Sequence, residues 1–216
     1  MTPSSHNRRL IKVCGITTEE DGLAAAEMGV SAIGLNFYSR SPRYVSSNQA
    51  LKIAEALPAS VLRVGVFVNP SADELSRVAH EVRLDVIQIH GALPANLPRL
   101  RIWKAVGVDA SLSSSDLEAP GVEAFLLDAP AESYGGSGRT FDWSLVSGVG
   151  VRFVLAGGLD ASNVEEAISI AKPWGVDACS KVESAPARKD WRKMRDFVRA
   201  AERGFLSLEN VAELLR

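Results

Sequence analysis

The residues that could carry chemistry in this chain stand where short apolar segments end. Cys14 follows the run LIKV, and Asp128 ends the run AFLLD. A thiol and a carboxyl group on separate strands could act as general base and general acid across a cavity. A thiol with an ordinary pKa of about 8.5 needs help to ionise near neutral pH. Lys12 would lie on the same face of a strand as Cys14 and could supply the positive charge.

Each of these residues also has a structural interpretation. Free cysteines are often small buried hydrophobic residues, so Cys14 could serve packing alone. Lys12 could form an ion pair with an inward acid such as Asp177. Asp128 could cap the turn that follows it, although packing does not explain a carboxylate at the exposed end of a buried strand.

The segment LAGGLDASNVEEA indicates a phosphate site. Gly157 and Gly158 would let backbone N–H groups approach an anion, and Asp160 would open a helix. The alternative is that the two glycines only form a tight turn. Arg40 and Arg43, in YSRSPRYVS, could pair with a carboxylate or a phosphate, or they could be solvated surface charges.

The glycine-rich segment SYGGSGRT does not have the spacing of a nucleotide-binding P-loop. That motif requires a glycine five residues before the Gly-Lys-Ser/Thr triplet, but Ser133 stands five residues before Gly138, and Arg139 follows it. We predict that the loop 129–141 forms a mobile lid over the site; the alternative is a flexible surface loop.

Eight β-rich segments alternate with helical patterns along the chain. Most are continuous apolar runs, as in parallel strands that are covered on both faces. The segments are 9–13, 31–37, 61–67, 84–89, 102–108, 123–129, 151–157 and 176–180. Helical patterns cover 17–29, 46–57, 71–82, 160–172 and 189–204, whereas 93–100 and 109–120 have room only for short helices.

This alternation predicts an α/β protein with a (β/α)₈ TIM barrel. An open doubly wound sheet is the alternative, but the first turn, CGITTE, lacks a dinucleotide fingerprint. We predict a single domain over 1–216, with 205–216 as an appended C-terminal helix that has Val211, Leu214 and Leu215 on one side.

In a barrel, the carboxyl ends of all strands meet at one mouth, where chemistry collects. The polar or glycine residues at the predicted strand ends are Cys14, Asn36, Asn69, Gln88, His90, Asp128, Gly157, Gly158 and Asp177 to Ser180, with Lys104 inside the fifth strand.

Composition limits the possible partners. Charged residues make up 23% of the chain, and the net charge of −2 argues against nucleic-acid binding or attachment to a membrane through basic residues. No secretory signal and no apolar run of membrane-spanning length are visible. The two cysteines and three scattered histidines give no metal-binding spacing. We therefore expect a cytoplasmic protein without a metal.

The motifs, taken in order over about residues 10–200, resemble the phosphoribosylanthranilate isomerase family of tryptophan biosynthesis. The matching stretches are KVCGIT, GLNFYSRSPRYVS, RVGVFVN, VIQIHG, KAVGV, LLDAPAESYGGSGRTFDW, LAGGLDASNV and VDACSKVESAPARKD. The resemblance implies a (β/α)₈ fold and an Amadori rearrangement of N-(5-phosphoribosyl)anthranilate to the anilino-deoxyribulose phosphate.

The resemblance also implies residue roles. Asp128 would protonate the ribose ring oxygen, Cys14 would remove the C2′ proton, and Arg43 would hold the anthranilate carboxylate. The phosphate would lie on backbone amides around Gly157 and Gly158 and around Ser180 and Lys181. The full predicted substrate-binding set is Arg43, Gln88, His90, Gly157, Gly158, Asp177, Ser180 and Lys181. We expect no cofactor, because the nitrogen of the substrate is the electron sink, and a monomer or homodimer.

Two positions depart from the family pattern. Lys181 replaces a glycine, which would be strained at a positive φ but could add a charge to the phosphate site. Ala161 stands where a helix-opening proline is common. Separately, Cys14 and Cys179 end neighbouring strands of a closed barrel, so they could lie within disulfide range.

Two other functions remain open from the residues alone. One is a phosphate-binding lyase in which Lys104 forms a Schiff base. The other is a sugar-phosphate binder without catalytic activity, which the presence of both Cys14 and Asp128 disfavours.

Overall fold

The barrel predicted from the strand pattern is present in the computed structural model, which describes residues 9–130 and 138–214, with side chains to residue 210. Eight parallel strands pair in sequence order, and β1 pairs with β8 to close the barrel. The strands are β1 (Leu10–Cys14), β2 (Ala32–Asn36), β3 (Leu62–Val68), β4 (Val86–His90), β5 (Arg101–Gly107), β6 (Ala124–Asp128), β7 (Phe153–Leu155) and β8 (Gly175–Ala178).

The strands bury both faces, which explains their continuous apolar sequences. One set of side chains fills the barrel interior, and the alternate set packs against the surrounding helices and loops. On β1, Leu10 belongs to the interior cluster, so Lys12 and Cys14 point inward as well. The interior set on β6 includes Ala124 and Leu126, which directs Asp128 into the mouth.

The barrel helices are α1 (Glu19–Glu27), α2 (Ser47–Ala56), α3 (Ala72–Val82), α4 (Val164–Ala171) and α5 (Trp191–Leu214). Side-chain oxygens of Thr18, Ser46 and Ser71 cap the first three at their N-termini. Short 3₁₀ helices at Ser114–Leu117 and Trp143–Val146 follow β5 and β6. Between β4 and β5 the described chain forms no helix.

The prediction that a helix opens at Asp160 was wrong. Oδ1 of Asp160 accepts hydrogen bonds from the N–H and the hydroxyl of Ser162, at 2.8 and 2.5 Å. These bonds hold residues 160–163 in a turn, so α4 begins only at Val164.

Helix α5 runs without a break from Trp191 to Leu214, so no boundary separates the predicted helix 189–204 from the tail. Gly204 does not end the helix. A Cβ there would lie 2.9 Å from Cδ1 of Ile168, so the glycine lets α5 pack closely on α4. The division of the chain into domains stays a prediction, and the side chains of Val211, Leu214 and Leu215 lie outside the described part.

Lys172 ends α4 in the left-handed conformation, with φ 50° and ψ 49°, and its side chain is exposed. A glycine relieves the steric cost of this conformation, so Lys172→Gly should raise the free energy of unfolding by about 0.5–1 kcal/mol. Urea unfolding measures the change. Lys52→Gly, at an exposed position inside α2, is the matched control and should lower stability by about 1 kcal/mol. A destabilised Lys172→Gly variant would contradict the argument.

Candidate active site

A buried ion pair lies at the base of the mouth. Nζ of Lys12 on β1 donates to Oδ2 of Asp177 on β8 at 2.9 Å, and both side chains are buried. The strand register sets these two residues opposite each other. Burial raises the pKa of Asp177 to about 7, although Lys12 opposes this. Burial disfavours the Lys12 ammonium, but Asp177 and the nearby thiols outweigh it and raise the pKa of Lys12. The ion-pair interpretation of Lys12 is therefore confirmed.

The Lys12 ammonium also helps to lower the pKa of Cys14, the next inward residue of β1. A hydrogen bond from Cys179 lowers the pKa of the Cys14 thiol well below its ordinary value. Burial opposes this, and the charges of Lys12 and Lys189 support it. The bond from Cys179 was not anticipated from sequence, whereas the contribution of Lys12 was. Cys14 thus lies in surroundings that favour a thiolate, which is the form that accepts a proton.

Asp128 lies at the end of β6, where its surroundings raise the pKa of its carboxyl group. Burial raises its pKa to about 6, and the charge of Cys14 adds to this, whereas a hydrogen bond from the N–H of Ala129 at 2.7 Å opposes it. The apolar surroundings and nearby negative charge that an acid here requires are both present. Environments that separate the pKa values of two groups in this way indicate an acid and a base.

Arg43 follows β2 and is buried, with its guanidinium bound to Glu183. Nε and Nη2 donate to the two carboxylate oxygens at 2.8 and 2.7 Å, which raises the pKa of Arg43 further. Lys189 donates to Oε1 of Glu183 at 3.0 Å. The side chain of Arg43 also packs near the thiol of Cys179, because a Cβ on Gly15 would lie 2.5 Å from Cδ of Arg43 and 3.2 Å from Sγ of Cys179. Sequence reasoning missed Glu183 and Lys189.

The two predicted phosphate-binding segments follow the neighbouring strands β7 and β8. Gly157 and Gly158 have φ of 87° and 60°, and a Cβ on Gly157 would lie 2.7 Å from Oδ1 of Asp128. The backbone of Gly138 and Arg139 packs directly on this turn. The lid predicted for 129–141 lies largely at 131–137, outside the described residues.

Ser180 and Lys181 lie in a 3₁₀ turn, Ser180–Val182, directly after β8 and Cys179. A Cβ on Gly138 would lie 3.4 Å from Oγ of Ser180 and 3.6 Å from Cε of Lys181, so Gly138 lies between this turn and the two glycines that follow β7. The φ of Lys181 is not positive, so the strain considered for a lysine at this position does not arise.

Gln88 and His90 both point inward from β4, and their Nε2 atoms lie 3.0 Å apart. Burial lowers the pKa of His90 to about 4, with help from Lys12 and Lys104, so the imidazole is neutral at pH 7. Lys104 alternates with Trp103 and Ala105 of the interior cluster and therefore lies on the outer face of β5. That position does not suit a Schiff-base lysine of the barrel mouth.

Two kinds of comparison identify the family. The family model described as "N-(5'phosphoribosyl)anthranilate (PRA) isomerase" matches residues 11–200. The chain belongs to this isomerase family. A curated relative, the N-(5'-phosphoribosyl)anthranilate isomerase of Solibacter usitatus, is 47% identical over 196 residues, with 89% of this chain and 97% of the relative covered.

Solved structures of the isomerase family match the whole barrel. The crystal structure of phosphoribosylanthranilate isomerase from Thermotoga maritima is 37% identical, with a TM-score of 0.78, and the match covers 90% of this chain and 99% of that one. A structure of a phosphoribosylanthranilate isomerase with reduced 1-(o-carboxyphenylamino)-1-deoxyribulose 5-phosphate is 35% identical, with a TM-score of 0.75 and the same coverage. The chain is thus a (β/α)₈ isomerase enzyme that acts on phosphoribosylanthranilate in tryptophan biosynthesis.

Proposed function

We propose that Cys14 and Asp128 carry out the isomerisation of N-(5'-phosphoribosyl)anthranilate by general acid–base catalysis, with 1-(o-carboxyphenylamino)-1-deoxyribulose 5-phosphate as the product. One observation carries the proposal: at the same barrel mouth, the surroundings lower the pKa of the Cys14 thiol and raise the pKa of the Asp128 carboxyl to about 6. Such a pair supplies an acid and a base at the same pH.

The reaction then proceeds in two proton transfers. Protonated Asp128 donates its proton to the ribose ring oxygen, the bond from C1′ to that oxygen breaks, and the electron pair of the anthranilate nitrogen forms an iminium. The Cys14 thiolate removes the proton from C2′, and the electrons of the C–H bond neutralise the iminium to give an enolamine. This enolamine tautomerises to the ketone of the product.

Binding groups surround the two catalytic residues. We assign the anthranilate carboxylate to Nη1 of Arg43, because Glu183 holds the opposite Nε–Nη2 edge and fixes the guanidinium plane. The phosphate belongs on backbone N–H groups of Gly157 and Gly158 and of the turn at Ser180 and Lys181. Substrate contacts of Gln88, His90 and Asp177 stay predictions, and Asp177 is already bound to Lys12.

The test is turnover of phosphoribosylanthranilate, followed through its fluorescence, by Cys14→Ala. Loss of the base should lower kcat/KM by about 10²–10⁴-fold. Lys104→Met is the matched control, because Lys104 lies on the outer face of β5 and should retain most of the activity. Near-normal turnover by Cys14→Ala would overturn the assignment of the base.

Lys181→Ala tests the charge added at the phosphate site. The ammonium of an exposed lysine contributes modestly, so KM should rise about 2–5-fold with little change in kcat, since an exposed ion pair contributes up to about 1 kcal/mol. The increase should shrink at high salt because screening weakens the charge. Unchanged product affinity in calorimetric titration, at low and at high salt, would remove Lys181 from the site.

The remaining expectations concern surroundings and assembly. In the described part of the chain, no helix combines the length and the apolar character needed to cross a membrane. We propose a cytoplasmic enzyme that is a monomer or homodimer, has a small-molecule substrate and no nucleic-acid partner, and needs no cofactor or metal. The barrel is proposed as one domain over 1–216.

A further inference from the structure

We propose that Cys14 and Cys179 form an oxidisable dithiol at the barrel mouth, and that an oxidant of the hydroperoxide class converts it to a disulfide that reversibly stops turnover. The formation of the bridge depends only on the two thiols. The loss of activity rests in addition on the proposed role of Cys14 as the base.

The backbone holds the two cysteines side by side. The register of β1 and β8 pairs Lys12 with Asp177 and Val13 with Ala178, where β8 ends. Cys14 and Cys179 each follow directly on that last pair. Neighbouring strands lie about 4.8 Å apart. A disulfide requires Cα atoms about 4.4–6.8 Å apart, so this spacing allows a bridge without a large backbone movement.

Their side chains also point the same way. Cys14 lies two residues beyond Lys12 on the inward face of β1, and Sγ of Cys179 would lie 3.2 Å from a Cβ on Gly15, the residue after Cys14. A hydrogen bond from Cys179 is the main cause that lowers the pKa of Cys14, and neither cysteine is in a disulfide. Cys179 is partly exposed at the mouth, so a small oxidant can reach the pair from solvent.

The surroundings assign different roles to the two sulfurs. The hydrogen bond from Cys179, with support from Lys12 and Lys189, lowers the pKa of Cys14, which makes this thiol the attacking nucleophile. The hydrogen bond to Cys14, burial and the charge of Cys14 raise the pKa of Cys179. Cys179 therefore keeps its proton until Cys14 has reacted, as a resolving thiol does.

The chemistry balances in two steps. The Cys14 thiolate attacks a peroxide oxygen, an S–O bond forms, the O–O bond breaks, and hydroxide or alkoxide leaves and takes up a proton. Cys179 then attacks the sulfur of the sulfenic acid, an S–S bond forms, the S–O bond breaks, and water leaves with the proton of Cys179. The peroxide is reduced by two electrons, and the thiols are oxidised by two.

The experiment treats the full-length enzyme with hydrogen peroxide and measures intact mass and turnover on the same samples. The bridged protein should be about 2 Da lighter, without oxygen adducts. Trypsin should release a linked pair of peptides, 13–40 and 153–181, under non-reducing conditions. Turnover in the bridged fraction should fall about 100-fold or more, because the base is blocked, and dithiothreitol should restore it.

Cys179→Ser is the matched variant, since serine keeps a hydrogen-bond donor but cannot form the bridge. Its activity is compared with its own untreated sample. Under peroxide it should gain oxygen on Cys14, about 16–48 Da, and the doubly and triply oxidised fraction should not recover with dithiothreitol.

The outcomes separate the two proposals. Oxygen adducts on Cys14 in the unsubstituted enzyme without the linked peptides, or two unreacted thiols, would overturn the dithiol. A complete bridge with undiminished turnover would instead support the dithiol and overturn the role of Cys14 as the base.

Discussion

Asp128→Asn is expected to lower kcat/KM by about 10²–10⁴-fold, because asparagine cannot donate the proton that we propose opens the ribose ring. The pH dependence of kcat/KM gives a second test of Asp128 as the acid. In the unsubstituted enzyme, kcat/KM should fall as pH rises through about 6, where burial places the pKa of Asp128 and the acid form is lost. The residual activity of the variant should lack this descending limb.

The same substitution should stabilise the fold at high pH. The pKa of Asp128 rises from 3.8 in an exposed carboxyl to about 6 in the folded enzyme, so the stability that this group contributes is present below pH 3.8 and lost as pH rises towards 6. Asparagine stays neutral throughout. Relative to the unsubstituted enzyme, the variant should gain about 2–3 kcal/mol between pH 4 and pH 8 in urea unfolding.

Asp109→Asn is the matched control, because Asp109 is an exposed carboxylate two residues beyond β5. It should leave the pH profile of kcat/KM unchanged. Substantial activity in Asp128→Asn, with the descending limb intact, would exclude Asp128 as the acid.

Lys12→Met is expected to lower the free energy of unfolding by about 3–5 kcal/mol at pH 8, because it leaves the carboxylate of Asp177 buried without its partner. The loss should be smaller at pH 5. The pKa of Asp177 is about 7 even beside Lys12, so the unpaired carboxyl is neutral there. The variant also removes a charge that lowers the pKa of Cys14, so the acidic limb of kcat/KM should move to higher pH.

The double variant Lys12→Met with Asp177→Asn tests the cause and guards against a single variant that does not fold. Neutralising the carboxyl should recover most of the stability at pH 8 while leaving the acidic limb shifted. A double variant that stays as unstable as Lys12→Met would show that packing of the lysine stem, rather than the charge on Asp177, explains the loss.

The strand ends could be predicted because β-structure alternates and parallel strands share one direction. Cys14 and Asp128 stand at the carboxyl ends of largely apolar runs, and closing the barrel brings those ends to one mouth. Because Lys12 and Cys14 are two residues apart on one strand, their position on the same face of that strand could be predicted as well. The ion pair and the effect on Cys14 were alternatives for Lys12, and both occur: its ammonium binds Asp177 and also lowers the pKa of the Cys14 thiol.

Glu183 and Lys189 could not be predicted in the same way. They come from a short hairpin, Glu183–Ala185 with Arg188–Lys189, whose sequence has no apolar period. Glu183 lies 140 residues from Arg43, so no local spacing records their contact. The start of α4 escaped prediction for a different reason, because the bonds from Ser162 to Asp160 favour a turn where the apolar pattern favours a helix.

The seam between β1 and β8 joins the first and the last strand of the barrel, and Lys12 and Asp177 lie 165 residues apart. A chain still emerging from the ribosome therefore has Cys14 long before it has Asp177, Cys179 or Lys189. In that unfinished chain the sulfur is an ordinary thiol with a pKa of about 8.5. The proposed base therefore acquires its lowered pKa only after the last strand of the barrel and the residues that follow it have been made.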